Sequence, residues 1–173
     1  MISSAQKLVR PTLYPSPLPH AALPLADWAD CYRVCVAAHP DLSAMAFARL
    51  ALGRFPPWAR LLLRLRDALV RPFGVQTTDD LVAKGAESIG FFPVVSATER
   101  QVVVGLDDTH LDFRLVIDVV DQGPAGTTVS VTTLVHRKIL LGRLYIAVIT
   151  PFHRLIVRAA LSAAARRLAA AAA

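Results

Sequence analysis

The residues most able to do chemistry together are His110, Asp112 and Arg114, spaced two apart in His110-Leu111-Asp112-Phe113-Arg114. If this stretch is a strand, alternation puts the three polar side chains on one face and Leu111, Phe113 and Leu115 on the other. A histidine beside a carboxylate can act as an acid/base pair, and an arginine two positions on can hold an anionic oxygen. The competing interpretation is a ladder of cross-strand ion pairs on a wet sheet face. Register decides between them, because a one-residue shift moves every side chain to the other face.

Two further histidines, His136 and His153, fall in separate elements. With His110 and Asp112 they could be arranged as two imidazoles and a carboxylate around a metal. Their spacing carries no metal signature, so neither a metal nor any other cofactor is expected. Cys31 and Cys35 have Cys-x-x-x-Cys spacing, which matches neither a redox pair nor a zinc knuckle. Asp107 and Asp108 are immediate neighbours at a strand end, which suits a turn better than paired catalysis. There is no Gly-x-Ser-x-Gly elbow and no glycine-rich phosphate loop. Nucleic acid is not an expected partner, since no recognition module is present and the basic residues are not interleaved with aromatics.

The elements that must position these groups follow from hydrophobic period. Residues 1–25 carry Pro11, Pro15, Pro17, Pro19 and Pro24 and predict an irregular arm. Trp28 to Ala37 predicts a first strand, with Tyr32, Val34 and Val36 alternating against Arg33 and Cys35. Asp41 stands where an N-cap would open a helix over Leu42 to Leu52, with Gly53 as its stop. A second amphipathic helix is expected from Pro57 to Arg71, with Trp58, Leu61, Leu62, Leu65 and Leu69 on one side. Gln76 to Ser88 predicts a loop. Beyond it the period changes to two, and Phe91 to Ala97, Gln101 to Leu106, Leu111 to Val120 and Thr127 to Lys138 predict strands. Their connections are too short for crossover helices, so the sheet must be antiparallel.

The last fifty residues close the molecule. On a helical wheel of ~100° per residue, Tyr145, Val148, Ile149, Phe152, Ile156, Ala159 and Ala163 lie within about 60° of one line. Arg143, Arg154 and Arg158 oppose them, and His153 stands at the boundary. Pro151 is expected to bend the helix. Leu144 to Phe152 is nine residues long between Arg143 and His153, well short of the ~20 apolar residues that span a bilayer. No integral membrane span is therefore expected. Ala169 to Ala173 should fray.

Strand, two helices, four antiparallel strands and a long helix describe an α+β chain of helix-grip type. A curved antiparallel sheet wraps the C-terminal helix, as in the START and Bet v 1-like superfamily. One domain over residues 26–168 is expected, between the proline-rich arm of residues 1–25 and the alanine tail of residues 169–173. Charge is segregated: residues 1–121 hold 12 Lys+Arg against 13 Asp+Glu, whereas residues 122–173 hold seven Lys+Arg and no acid. Such segregation suits an anionic surface, or simply a solvated helix face. No apolar h-region or cleavage site follows Lys7 and Arg10, which points to the cytoplasm.

Three groups of motifs also resemble a bacterial family catalogued as a domain of unknown function, family 2867. They are Ser88-Ile89-Gly90-Phe91-Phe92-Pro93-Val94, then Gly105 through Arg114, then Gly142-Arg143-Leu144-Tyr145 with Pro151 through Val157. The likeness runs from about Trp28 to Leu161. It implies the same START-like fold, and it supplies no reaction, ligand or catalytic residue. Fold alone cannot choose a function.

Three functions are therefore expected in order. The first is binding of a small hydrophobic molecule in a cavity between sheet and helix, lined by His110, Arg114, His136, Tyr145, Val148, Phe152 and His153. The second is a cyclase or hydrolase with His110 and Asp112 as acid and base. The third is peripheral attachment to anionic membrane through Arg143, Arg154, Arg158, Arg166 and Arg167. The balance leans away from an enzyme, and a second copy of the chain is admitted as a partner.

Overall fold

A computed structural model describes residues 10–53, 57, 87–90 and 92–171. Seven strands form one antiparallel sheet: β1 (Thr12–Tyr14), β2 (Trp28–Val36), β3 (Ser88–Ile89), β4 (Phe92–Ala97), β5 (Gln101–Asp107), β6 (Leu111–Asp121) and β7 (Thr127–Arg137). Their order across the sheet is β1-β2-β7-β6-β5-β4-β3. Among the described residues two α-helices pack on it, α1 (Ala44–Leu52) and α2 (Leu140–Ala171). The arrangement is α+β and compatible with a helix-grip fold. The expected second helix, from Pro57 to Arg71, falls almost wholly outside the described residues, as does most of the loop expected over 76–88.

Alternation in the strands builds two apolar layers. Tyr32, Val34 and Val36 of β2, Val129 and Val131 of β7, Leu115, Ile117 and Val119 of β6, and Val102 and Val104 of β5 face the helices. They meet Ala44, Phe47, Ala48, Ala51 and Leu52 of α1 and Leu161, Ala164 and Ala165 of α2. Phe47 is wholly buried in this layer. The helix-capping residue is Ser43 rather than Asp41, its Oγ accepting the amide of Ala46 at 3.1 Å. A serine hydroxyl reaches that amide as readily as a carboxylate does, so either residue suited the sequence.

The opposite face carries a smaller apolar layer of Val103, Val116 and Leu134, covered by Leu23. The described part of the proline-rich arm, from Arg10 onward, is thus more ordered than its composition suggests. It adds β1 to the sheet edge, sets Arg33 over the ring of Tyr14 at 3.4 Å, and seats Leu23 as a plug. Prolines stop the segment from folding as a helix, but they leave it free to lie extended along an edge strand.

The wheel drawn from apolar residues is turned by about 90° from the face that α2 buries. The residues actually turned inward include Gly142, Ile146, His153, Ala160 and Ala164, which lie within ~20° of one line. Small side chains bring the helix close to the sheet: a Cβ on Gly142 would stand 2.5 Å from the carbonyl oxygen of His110. Val148 and Phe152, expected to point at the sheet, are instead exposed, at 67% and 44%. The helix is continuous through Pro151. Thr150 donates its hydroxyl to the carbonyl of Ile146 at 2.5 Å, one residue before the carbonyl that Pro151 leaves without its helical donor.

Candidate functional site

Cross-strand rows locate the site. Tyr32, Val131, Ile117 and Val102 make a row that is fully buried. One step along, the row is Asp30, Thr133, Leu115 and Val104. The next is Trp28, Val135, Phe113 and Leu106, of which Trp28, Phe113 and Leu106 are only half-buried. An apolar floor therefore opens at this end of the sheet, with a carboxylate and a hydroxyl set at its inner border. His153 of α2 meets it at Trp28, and Ile149 and Tyr145, also half-buried, lie one and two turns earlier toward the same side of the helix. Phe92 meets Phe113 edge to face, with 5.9 Å between ring centroids, and closes the floor on the β4 side.

The polar border is tightly organised. His153 Nε2 lies 3.2 Å from Asp30 Oδ1 and 3.1 Å from Thr133 Oγ1. The edge of Trp28 packs against the same imidazole, with centroids 5.9 Å apart. Asp30 has only 3% of its side chain exposed. Its second oxygen, Oδ2, accepts no hydrogen bond among the described residues, and the nearest cation, Arg154 Nε, stands at 4.0 Å. Burial raises the Tyr32 hydroxyl above its ordinary range, and the charge of Asp30 adds to the rise.

A buried carboxylate with one oxygen left over is costly unless something donates to it. Here that oxygen lies next to an apolar floor that is not fully covered. The geometry suits a small molecule that is mostly apolar and offers one hydrogen-bond donor.

The residues singled out in the sequence divide between the two sheet faces. His153 belongs to the helix-facing site, and half-buried Tyr145 lies two turns earlier on the same helix. Asp112, Arg114 and His136 do not: register puts them on the face with Leu134, away from α2. Nor are His110 and Asp112 a pair. His110 Nδ1 lies 2.8 Å from Thr109 Oγ1 and 3.8 Å from Asp108 Oδ1. Asp112 is engaged by Lys138 Nζ at 2.6 Å and by His136 Nδ1 at 3.6 Å.

Arg114 grips Asp107 with both terminal nitrogens, at 2.7 and 3.0 Å. That hydrogen bonding holds the Asp107 carboxyl below its usual range, against a smaller opposing effect of burial. The set is the cross-strand ladder weighed against catalysis above. Among the described residues no group of three or more His, Cys, Asp or Glu side chains is placed to hold a metal ion.

Sequence reasoning passed over Asp30 and Thr133. A signal for Asp30 was present: it shares the parity of Trp28, Tyr32, Val34 and Val36, so it is a carboxylate at an inward position of an otherwise apolar strand. Thr133 had no comparable mark, because β7 carries threonines on both faces, Thr127 and Thr133 on one and Thr128 and Thr132 on the other.

At the other end of the sheet an open recess of ≈ 250 Å³ is lined by His39, Pro40, Asp41 and Leu42.

Taken together, the described residues define an α+β protein with a seven-stranded antiparallel sheet and a long C-terminal helix packed on it. The chain belongs to the family described as "Protein of unknown function (DUF2867)", whose model matches residues 22–160. Comparison with curated proteins and with solved structures found no match.

Proposed function

We propose that the protein binds a small, mostly apolar molecule between the inner face of the sheet and the first half of α2, with a donor group of that molecule on Asp30. The observation that carries this reading is Asp30 Oδ2, buried and accepting no hydrogen bond among the described residues, beside the half-covered row of Trp28, Phe113 and Leu106. His153 holds the other oxygen and is itself met by the hydroxyl of Thr133, which fixes the direction in which Oδ2 points. Such a site orients its ligand through one polar contact and draws most of its affinity from apolar burial.

The test is titration of the full chain with Nile red, an environment-sensitive apolar dye. Its fluorescence should rise on binding, and the rise should be lost in Ile149→Arg and weakened in Phe113→Ala, with folding checked by circular dichroism. Val148→Arg, on the outward side of the same helix, should bind normally. Loss in the Val148 variant with retention in the other two would place the dye on the surface and overturn the proposal.

A further inference from the structure

Independently of the interior site, the outward half of α2 carries an unusual surface. Leu140, Leu144, Val148, Phe152 and Leu155 are all exposed, Leu140 at 70%. They form one stripe that runs about 22 Å along the helix. Arg143, Arg154 and Arg158 border one side of it, and Arg166 continues it toward the C-terminus; all four are exposed. Residues 122–173 contain no acidic residue, and of the four only Arg154 stands near a buried carboxylate, with Asp30 Oδ2 at 4.0 Å among the described residues. Exposed apolar side chains normally occur singly, and a continuous stripe of this kind marks a docking surface.

We propose that this face seats on an anionic lipid bilayer. Leucine, valine and phenylalanine would enter the headgroup boundary while the flanking guanidinium groups pair with lipid phosphates and carboxylates. Charge selects this occupant over a second copy of the chain, since a symmetric pairing through the stripe would bring arginine against arginine with no acid between.

By length and composition alone α2 could also cross a bilayer. Its inward face argues for lying on the surface instead. His153 is held by buried Asp30, and Leu161, Ala164 and Ala165 are part of the core that α1 completes. Spanning would strip all of these contacts. Arg167 does not belong to the surface group, because its Nη1 donates to the carbonyl of Leu50 at 2.7 Å and ties α2 to α1.

The experiment is co-sedimentation of the full chain with phosphatidylcholine vesicles, with and without phosphatidylserine. Binding should require phosphatidylserine and be reversed by high salt. Arg143→Gln combined with Arg158→Gln should lower partitioning about tenfold or more. Leu144→Asp should lower it comparably while thermal unfolding stays unchanged, since Leu144 is exposed. Equal binding to neutral vesicles, absence of binding to the anionic ones, or indifference to both variants would overturn the proposal. So would resistance to an alkaline carbonate wash, which would mean a spanning helix. A shift in oligomeric state on gel filtration with Leu144→Asp, without a change in vesicle binding, would identify a second copy as the occupant and also overturn it.

Discussion

Asp30 on β2 and His153 on α2 stand 123 positions apart in the chain and meet at 3.2 Å in a nearly dry setting. Neither could hold its position alone. The carboxylate needs a donor, and the imidazole needs a reason to turn inward from the middle of a long helix.

This pairing makes a stability prediction. His153→Leu leaves Asp30 with 3% exposure and only Arg154, 4.0 Å away, to serve it. The variant should lose about 3 kcal/mol in urea unfolding. Asp30→Leu combined with His153→Leu should recover much of that loss, because no uncompensated charge remains. A single variant within ~0.5 kcal/mol of the natural protein would show that the pair is not buried as described.

How much of this was legible beforehand differs by element. β5 to β7 follow from strict alternation such as Leu111, Phe113, Leu115 and Ile117, and the short links between them made an antiparallel sheet unavoidable. The rotation of α2 was not legible, because its inward face is largely glycine, alanine and a histidine, joined by Ile146 and Leu161, while Leu140, Leu144, Val148, Phe152 and Leu155 lie outside. A wheel weighted by hydrophobicity finds the greasiest side, and here the close-packing side is a different one. The same limit applied to His110, Asp112 and Arg114. Alternation placed Asp112 and Arg114 on one face of β6, but only pairing with β7 revealed that this face is turned away from the helix.

The core should respond in the ordinary way. Phe47 is wholly buried between α1 and the sheet. Phe47→Ala should cost about 3–5 kcal/mol, seen as a lower denaturation midpoint with an unchanged slope.

Gly105 should prove intolerant for a local reason. An added Cβ would come within 2.6 Å of Arg114 Cδ and would strike the carbonyl oxygen of Phe113. Gly105→Ala is expected to destabilise by about 1–3 kcal/mol. It should also release Asp107, whose carboxyl titration, followed by NMR, should move upward toward the ordinary range. An Asp107 titration that stays low would mean Arg114 keeps its grip by another path.

Acid stability follows from two carboxyls. At Asp27 burial pushes the carboxyl up, but hydrogen bonds and charge from Arg137 outweigh it and hold it low. Asp107 is held low by Arg114. Both folded values lie below the 3.8 of an ordinary aspartate, so their contribution is complete above that pH and is lost as pH falls through the lowered folded values. Asp27→Asn and Asp107→Asn should each flatten the loss of stability below about pH 4, as followed by far-ultraviolet circular dichroism. Variants with an unchanged acid limb would contradict the assignment.

The central claim is that the space between Trp28, Phe113, Leu106 and α2 accepts a ligand whose donor meets Asp30. Native mass spectrometry of the full chain, purified without detergent or organic solvent, tests it most directly. A non-covalent adduct with an apolar small molecule is expected, extractable into organic solvent, bearing a hydroxyl or amine, and depleted in Asp30→Leu. A wild-type spectrum that shows only the bare chain, and stays bare after incubation with Nile red, would contradict it.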